Sequence, residues 1–368
     1  MLSFNNIYGQ PAALMRRRIW SGEERKVPGV SVRIVNAFKP VRSVSPVNIS
    51  VSMGLYSSQQ YFLVRGATLY TSPDLKVLTQ RLLVNGENAN IVSMAHNNDT
   101  VIIGARYWTG FSWGYVSYAS VDGGITFKNI TATPNYVRAG SYFYAISSSM
   151  ARSATGLDTV WSATAMPSSS AGWSHVLHNG NIYLSLSYIN NSFYEVAYSE
   201  NGSAFNLSTN FASVRSKIPS GMYVKEAAVV GSKFVLVGVA GKTIHTIATE
   251  DGINFEQFDQ YLETGVDGEA FRGWNIQSTS TGDAIYMRGT TSDIAGVGRV
   301  RVFSCMDGRN WRVLPSLVAS SSFTDPTNGF FALAPGQGIY VTPWPDADHA
   351  FISDTVNDRD FYYELGAA

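Results

Sequence analysis

The stretch Ser120-Val121-Asp122-Gly123-Gly124-Ile125-Thr126-Phe127 decides how the rest of the chain is read. A tight hairpin leaves backbone N–H groups unpaired, and a Ser hydroxyl or Asp carboxylate accepts hydrogen bonds from them. Glycine takes a positive φ that costs other residues roughly 1 kcal/mol. The closing aromatic drops back into an apolar interior, where its burial contributes about 2–3 kcal/mol. These eight residues are a structural staple.

The pattern recurs. Shorter copies are Ser199-Glu-Asn201-Gly202-Ser-Ala-Phe205 and Thr249-Glu-Asp251-Gly252-Ile-Asn-Phe255, and Asp307-Gly308-Arg-Asn-Trp311 carries Cys305 in the hydroxyl position. Weaker echoes are Ser72-Pro-Asp74 leading to Leu78 and Thr355-Val-Asn357-Asp358 leading to Phe361. Upstream lie pairs of apolar runs joined by polar turns, such as Ile91 to Met94 with Val101 to Ile103, and Ala227 to Val230 with Phe234 to Val237. The same shape recurs at 176–187, 276–287 and 331–341, and more loosely at 49–64. Each unit reads as four antiparallel strands with the stapled turn between the third and fourth.

The anchors fall mostly about fifty residues apart, the spacing of propeller blades. The gap from Phe127 to Phe205 is too wide for one blade and holds Tyr142 to Ile146, Val160-Trp161 and Trp173. It reads as a degenerate blade lacking its stapled turn. The expected fold is all-β, a β-propeller of four-stranded antiparallel blades over 46–368, with seven blades preferred and six plus a long insertion as the alternative. Residues 1–45 stand outside the repeat as an arm. Within it Val30 to Ile34 alternates like a strand, suited to closing the ring or docking on a partner.

Of the 368 residues, 45% are hydrophobic and only 15% charged, so Ser, Thr, Asn, Gly and Tyr must cover much of the surface. Basic and acidic residues balance at 27 each, which removes the field that draws proteins to nucleic acid. Cys305 is the single cysteine and forms no disulfide within the chain. Arg16, Arg17 and Arg18 fall where a secretory leader needs its apolar core, so export by that route is not expected. The longest apolar stretches, such as Phe234 to Ala240, are too short to span a bilayer, and no membrane insertion is expected. No phosphate loop, dinucleotide fingerprint, serine elbow or zinc spacing appears, so no cofactor is expected. Trp344-Pro-Asp346-Ala-Asp348-His349 suits either a cation or a polar turn.

The stretch from Ser120 to Phe127 resembles the Asp-box, or bacterial neuraminidase repeat, of sialidases and other six- and seven-bladed propellers. The resemblance implies the fold and a position for the box away from any catalytic centre. In an up-and-down blade the first and third turns share one face, and the remaining loops share the face where ligands usually bind. A sialidase needs an arginine cluster, a Tyr nucleophile beside a Glu, and an Asp acid. Here Arg33-Ile34-Val35 stands where such enzymes carry Arg-Ile-Pro, and it precedes the repeats. Spacing does not bring Arg65, Arg106, Arg272 and Arg288 together. A sialidase-like hydrolase or lyase acting on surface glycans is therefore the alternative reading.

The second-blade loop from Arg106 to Tyr115 holds five aromatics among small residues. Tyr107, Trp108, Phe111 and Trp113 are candidates to stack on a sugar or dock on protein, unless they pack over the propeller's own rim. Tyr188, Phe193 and Tyr194 in the fourth blade have the same character and are expected to join one recognition surface with them. His175 and His178 suggest no catalytic role, and Glu226 reads as a solvated residue on an inner strand. Composition and the arm together resemble phage tail or capsid-attached propellers. That resemblance implies a non-enzymatic virion protein in several copies, bound to other virion proteins through Arg16 to Arg18, with a host glycan or protein at its loop face. A cytoplasmic scaffold is the remaining setting.

Overall fold

The computed structural model describes residues 53–313, interrupted at 58–59, 74–77, 98, 131–134, 148, 158–160, 170–171, 191, 219–222, 262–269, 279–284 and 293–297. Beyond these it describes 26–27, 30–31, 41–42, 317–318, 330–334, 337–341 and 349–353. The arginines at 16–18, the echo at 355–361 and the 344–348 cluster lie outside the described residues.

Among the described residues, beside one two-stranded ribbon, seven antiparallel sheets follow one another, six of four strands and one of five, and together they form a β-propeller. Blade 1 comprises Met53–Ser57, Gln60–Arg65, Thr68–Ser72 and Thr79–Leu83. Blade 2 comprises Glu87–Asn97, Thr100–Trp108, Trp113–Ser120 and Lys128–Ile130. Blade 3 is the smallest, with Asn135–Ala139, Tyr142–Ile146, Met150–Ser153 and Ser162–Ala163. Blade 4 runs from Trp173–His178 to Asn206–Leu207, and blade 5 from Tyr223–Val230 to Glu256–Tyr261. Blade 6 runs from Ala270–Ser278 to Arg312–Val313 with Leu317–Val318 added.

First strands of neighbouring blades touch from blade 2 through blade 6, and Phe330–Ala334 of blade 7 touches Met53–Ser57 of blade 1. That last contact closes the ring. The fourth strand of blade 7 is Val41–Arg42, which pairs with Ala350 and His349. The closing strand therefore lies later than the Val30 to Ile34 stretch, of which Val30–Ser31 pairs with Lys26–Val27 instead.

Burial follows from stacking. Second strands are covered on both faces by adjacent blades, so they read as continuous apolar runs such as Val101 to Ile103 and Phe234 to Val237, all fully buried. Fourth strands form the rim, and Lys128–Ile130 and Glu256–Tyr261 are mostly polar and exposed. The single described helix of the domain, Phe211–Arg215, is one short turn that buries Phe211 against blades 4 and 5.

The repeated turns carry the hydrogen bonds that their residue types dictate. Ser120 Oγ accepts from Gly124 N–H at 2.8 Å, and Asp122 Oδ1 accepts from the N–H groups of Ile125 and Thr126 at 3.0 Å each. Thr249 Oγ1 and Ser199 Oγ accept from Gly252 and Gly202 at 2.9 Å. Asp251 Oδ1 accepts from Ile253 and Asn254 at 2.8 and 2.7 Å, and Asp307 Oδ1 from Arg309 and Asn310 at 2.8 Å each. Hydrogen bonds from the Ser120 hydroxyl and from Thr126 hold Asp122 far below the usual carboxylate range. Burial pushes Asp251 and Asp307 upward, but donors from Asn254 and Asn310 outweigh it and leave both lowered.

The anchors are equivalent around the ring. Phe127 joins an apolar cluster with Phe62 and Val64 of blade 1, Phe205 one with Tyr144 and Ile146 of blade 3, Phe255 one with Leu184 and Leu186 of blade 4, and Trp311 one with Val235 and Val237 of blade 5. Each ring thus wedges into the preceding blade. Trp311 also donates from Nε1 to Thr246 Oγ1 at 2.8 Å.

Blade 3 does not lack its turn, contrary to the expectation from sequence. Ser153 Oγ accepts from Thr155 and Gly156 N–H at 3.2 and 2.9 Å, and Thr155 Oγ1 accepts from Leu157 N–H at 3.3 Å. A threonine hydroxyl does here what the carboxylate does elsewhere. Gly156 has φ +76° like its counterparts, and Trp161 packs toward blade 2, 5.8 Å from the Tyr136 ring. Trp173 belongs instead to the first strand of blade 4.

Candidate ligand-binding flank

Blade 2 overtops its neighbour. Its second and third strands run nine and eight residues, against five and four in blade 3. Tyr136 N–H of blade 3 bonds to Ser93 Oγ at 3.1 Å, and Ser93 lies opposite Gly104, which fixes the relative height of the two blades. Above that level the hairpin continues for four residues to Trp108, or about 13 Å at the usual rise.

Register sorts the residues of this overhang. Ile102 and Ala119 pair and face blade 3, where they pack with Tyr136 and Phe143. Two residues on, Gly104 and Ser117 are still buried; two further, Arg106 and Tyr115 are exposed, and Trp108 and Trp113 follow. All four share the face that blade 3 would cover were it taller. Tyr115 is 45% exposed, Trp113 40%, and Phe111 at the tip 94%. The rings of Trp108 and Trp113 meet edge to face at 5.6 Å, and the Arg106 guanidinium lies 4.5 Å from the centre of Trp113.

The tip is fixed. Thr109 N–H donates to Ser112 O at 2.9 Å, Ser112 N–H donates to Thr109 Oγ1 at 3.1 Å, and Gly110 takes φ +94°. The opposite face holds Tyr107 between two glycines. A β-carbon on Gly86 would stand 2.7 Å from Tyr107 Cβ, and one on Gly114 2.8 Å from its Cζ. Tyr107 thus packs within the hairpin and stiffens it. Of the sequence candidates in this loop, Trp108 and Trp113 share the flank, and Phe111 stands exposed at the tip beside it. Arg106 and Tyr115 join them, and only the register reveals it.

The fourth-blade aromatics do not form a second half of this surface. Phe193 is 1% exposed, Tyr188 packs on it at 5.8 Å, and both belong to the core between blades 4 and 5. Tyr194 is capped by Arg215, whose guanidinium lies 3.9 Å above its ring and donates to its carbonyl at 2.7 Å. These rings look like a binding loop in sequence because a tight turn at Asn190, with φ +49°, separates them from polar residues. Their strand alternation sends Tyr188 and Phe193 inward.

The upper halves of four first strands carry a further feature with no sequence signal. Val92, Ser174 and Lys225 are each the extra residue of a β-bulge at matching positions in blades 2, 4 and 5, and Arg272 is that of a bulge two residues further along in blade 6. Bulges add twist and re-aim the strand. In blade 4, Ser174 Oγ bonds to Leu186 O at 3.1 Å and contacts His175 Nδ1 at 2.7 Å. His175 is half-buried, edge to face with Phe193 at 5.3 Å, and its partial burial lowers its pKa. Among the described residues no group of three metal-ligating side chains converges, and no described helix is long and apolar enough to cross a membrane.

A seven-bladed, stapled propeller with one exposed aromatic flank is the class that fold and site define. No protein-family model matches the chain, and no curated protein matches it. Among solved structures it is similar to a GH74 xyloglucanase from Xanthomonas campestris, with TM-score 0.57 and 13% identity over 86% of this chain. The match covers 54% of the xyloglucanase, so the chain spans about half that enzyme's length, and at this identity the likeness shows the fold alone. The computationally designed Ika8 protein matches with TM-score 0.46 and 9% identity over 86% of this chain and 99% of its own, and YjhT with TM-score 0.45 and 10% identity over 87% and 98%.

Proposed function

We propose that this chain is a non-enzymatic recognition propeller of a bacteriophage particle, tail- or capsid-associated, that presents its blade 2 flank to a host surface. The carrying observation is the rigid hairpin on which Arg106, Phe111, Trp113 and Tyr115 are exposed beside a half-buried Trp108. An exposed ring such as Phe111 costs hydration unless a partner covers it. The staples, with their hydroxyl, carboxylate and glycine turns, are Asp-boxes in this reading and serve the fold only. The 1–45 arm, with Arg16 to Arg18, holds the propeller to neighbouring virion proteins. Low charge and a Ser-, Asn- and Gly-rich surface suit an assembly present in several copies.

The glycosidase alternative needs two carboxylates beside the sugar. The flank offers none of its own, and Glu87, opposite Trp108, is the one carboxylate at this end of blade 2.

Particles carrying Phe111→Ala with Trp113→Ala are expected to lose host attachment while the purified domain keeps its melting temperature. Undiminished attachment would refute the role of the flank. Removing residues 1–25 tests the arm by loss of incorporation into particles. The truncation must stop before Val41, because Val41–Arg42 closes blade 7.

A further inference from the structure

We propose that the blade 2 flank binds an acidic saccharide, with a sugar carboxylate on the Arg106 fork and the sugar's C–H face against Tyr115 or Phe111. This rests on the reading of the flank as a recognition surface and adds the ligand's chemistry.

Arg106 carries the first part of the case. A guanidinium stacked flat on an aromatic ring keeps its N–H donors in plane and free for a bidentate partner. The Arg106 guanidinium carbon lies 4.5 Å from the centre of the Trp113 ring, and among the described residues no carboxylate pairs with it. Arg309, by contrast, lies 4.8 Å over Phe258 and is paired with Glu256 at 2.6 Å. The flank thus offers a positioned cation with no carboxylate partner among the described residues, beside exposed rings, and the complementary ligand is an anion with an apolar face.

Area selects among such ligands. With about 200 Å² for each full ring side chain, Phe111, Trp113 and Tyr115 together offer about 350 Å². A stable protein partner needs about 800 Å² on each side. The flank suits two or three sugar units. Stacking on aromatics costs little entropy here, because the edge-to-face tryptophans, the closed tip and the clamped Tyr107 fix the hairpin beforehand.

The test is titration of the purified full chain with a galacturonate oligosaccharide and with its methyl ester, followed by tryptophan fluorescence. The ester keeps the ring and removes the charge. The uronate is expected to bind at least tenfold more tightly than the ester, and raised ionic strength is expected to narrow the gap. Arg106→Gln is expected to lower uronate affinity to that of the ester, and Tyr115→Ala to weaken both ligands. Both side chains are exposed, so the variants fold, as melting curves check. Equal binding of uronate and ester, no binding of either, or an unchanged Arg106→Gln variant would overturn the proposal. If uronate fails while the Phe111→Ala, Trp113→Ala particles still lose attachment, the recognition reading stands and the acidic-sugar assignment falls. An acidic peptide that outcompetes uronate on the wild type would likewise reject it.

Discussion

Replacing Gly252 by alanine measures the contact that joins one blade to the next. Gly252 sits in the stapled turn of blade 5 with φ +71°, and an added β-carbon would stand 2.8 Å from Tyr198 Cβ and 2.9 Å from Leu184 Cδ1 of blade 4. Backbone strain at that φ costs about 1–2 kcal/mol. Forcing the blades apart adds about 1–3 kcal/mol. Gly241, in the same blade, separates these terms: its φ is +58° and nothing lies within 4 Å of its added β-carbon. Gly241→Ala is thus expected to cost the strain alone, and Gly252→Ala to cost about 1–3 kcal/mol more. Urea unfolding followed by far-UV circular dichroism reads both midpoints at once. Equal losses in the two variants would refute the claim that the turn glycine is selected for inter-blade packing as well as for conformation.

Stability should fall as pH drops from about 6.5 toward 4, because burial, assisted by the Arg138 charge, pushes His96 down to about 4. The unfolded chain then binds a proton the folded chain refuses, a loss of about 3 kcal/mol that His96→Gln should reduce; a flat profile across that window would disprove it. His175 and His178 are lowered by burial too and act with the same sign. Below about pH 4 the lowered carboxyls of Asp122, Asp251 and Asp307 add a second loss. Cys305 is buried and its thiol is pushed up to about 11, so at pH 8 it should resist iodoacetamide until denaturant is added; rapid native labelling would show its blade is open. Gly114→Ala drives a β-carbon into Tyr107, and should loosen the blade 2 hairpin, weakening ligand binding more than it lowers the melting temperature.

Fold was legible because each staple is local. Ser120, Asp122, Gly124 and Phe127 lie within eight residues, and the hydrogen bonds that demand those residue types close over the same span. The turn in blade 3 escaped detection because Thr155 replaces the carboxylate. Site residues were legible only in part. Trp108 and Trp113 announce themselves by type, but what leaves Trp113 exposed and Trp108 half-buried is the shortness of blade 3, a property of residues 135–163 and not of the loop. Phe193 misled for the converse reason, since its neighbouring blade covers it.

Function here follows from an imbalance between neighbouring sheets. A propeller is a ring of blades that bury each other's faces, so any blade cut short uncovers a strip of the one beside it. Blade 3 keeps its lower half, with its staple, the Trp161 wedge and the Tyr144 hydroxyl donating to Gly202 O at 3.0 Å, so the ring remains packed where stability resides. Only its upper strands are missing. The exposed strip of blade 2 carries Arg106, Trp108, Trp113 and Tyr115 in place of the alanines and isoleucines that fill the same face lower down. Because fold and flank occupy opposite ends of the same strands, the flank is free to vary its chemistry at little cost to the ring. Exchange of its five side chains should therefore alter what the propeller binds before it alters whether the propeller folds.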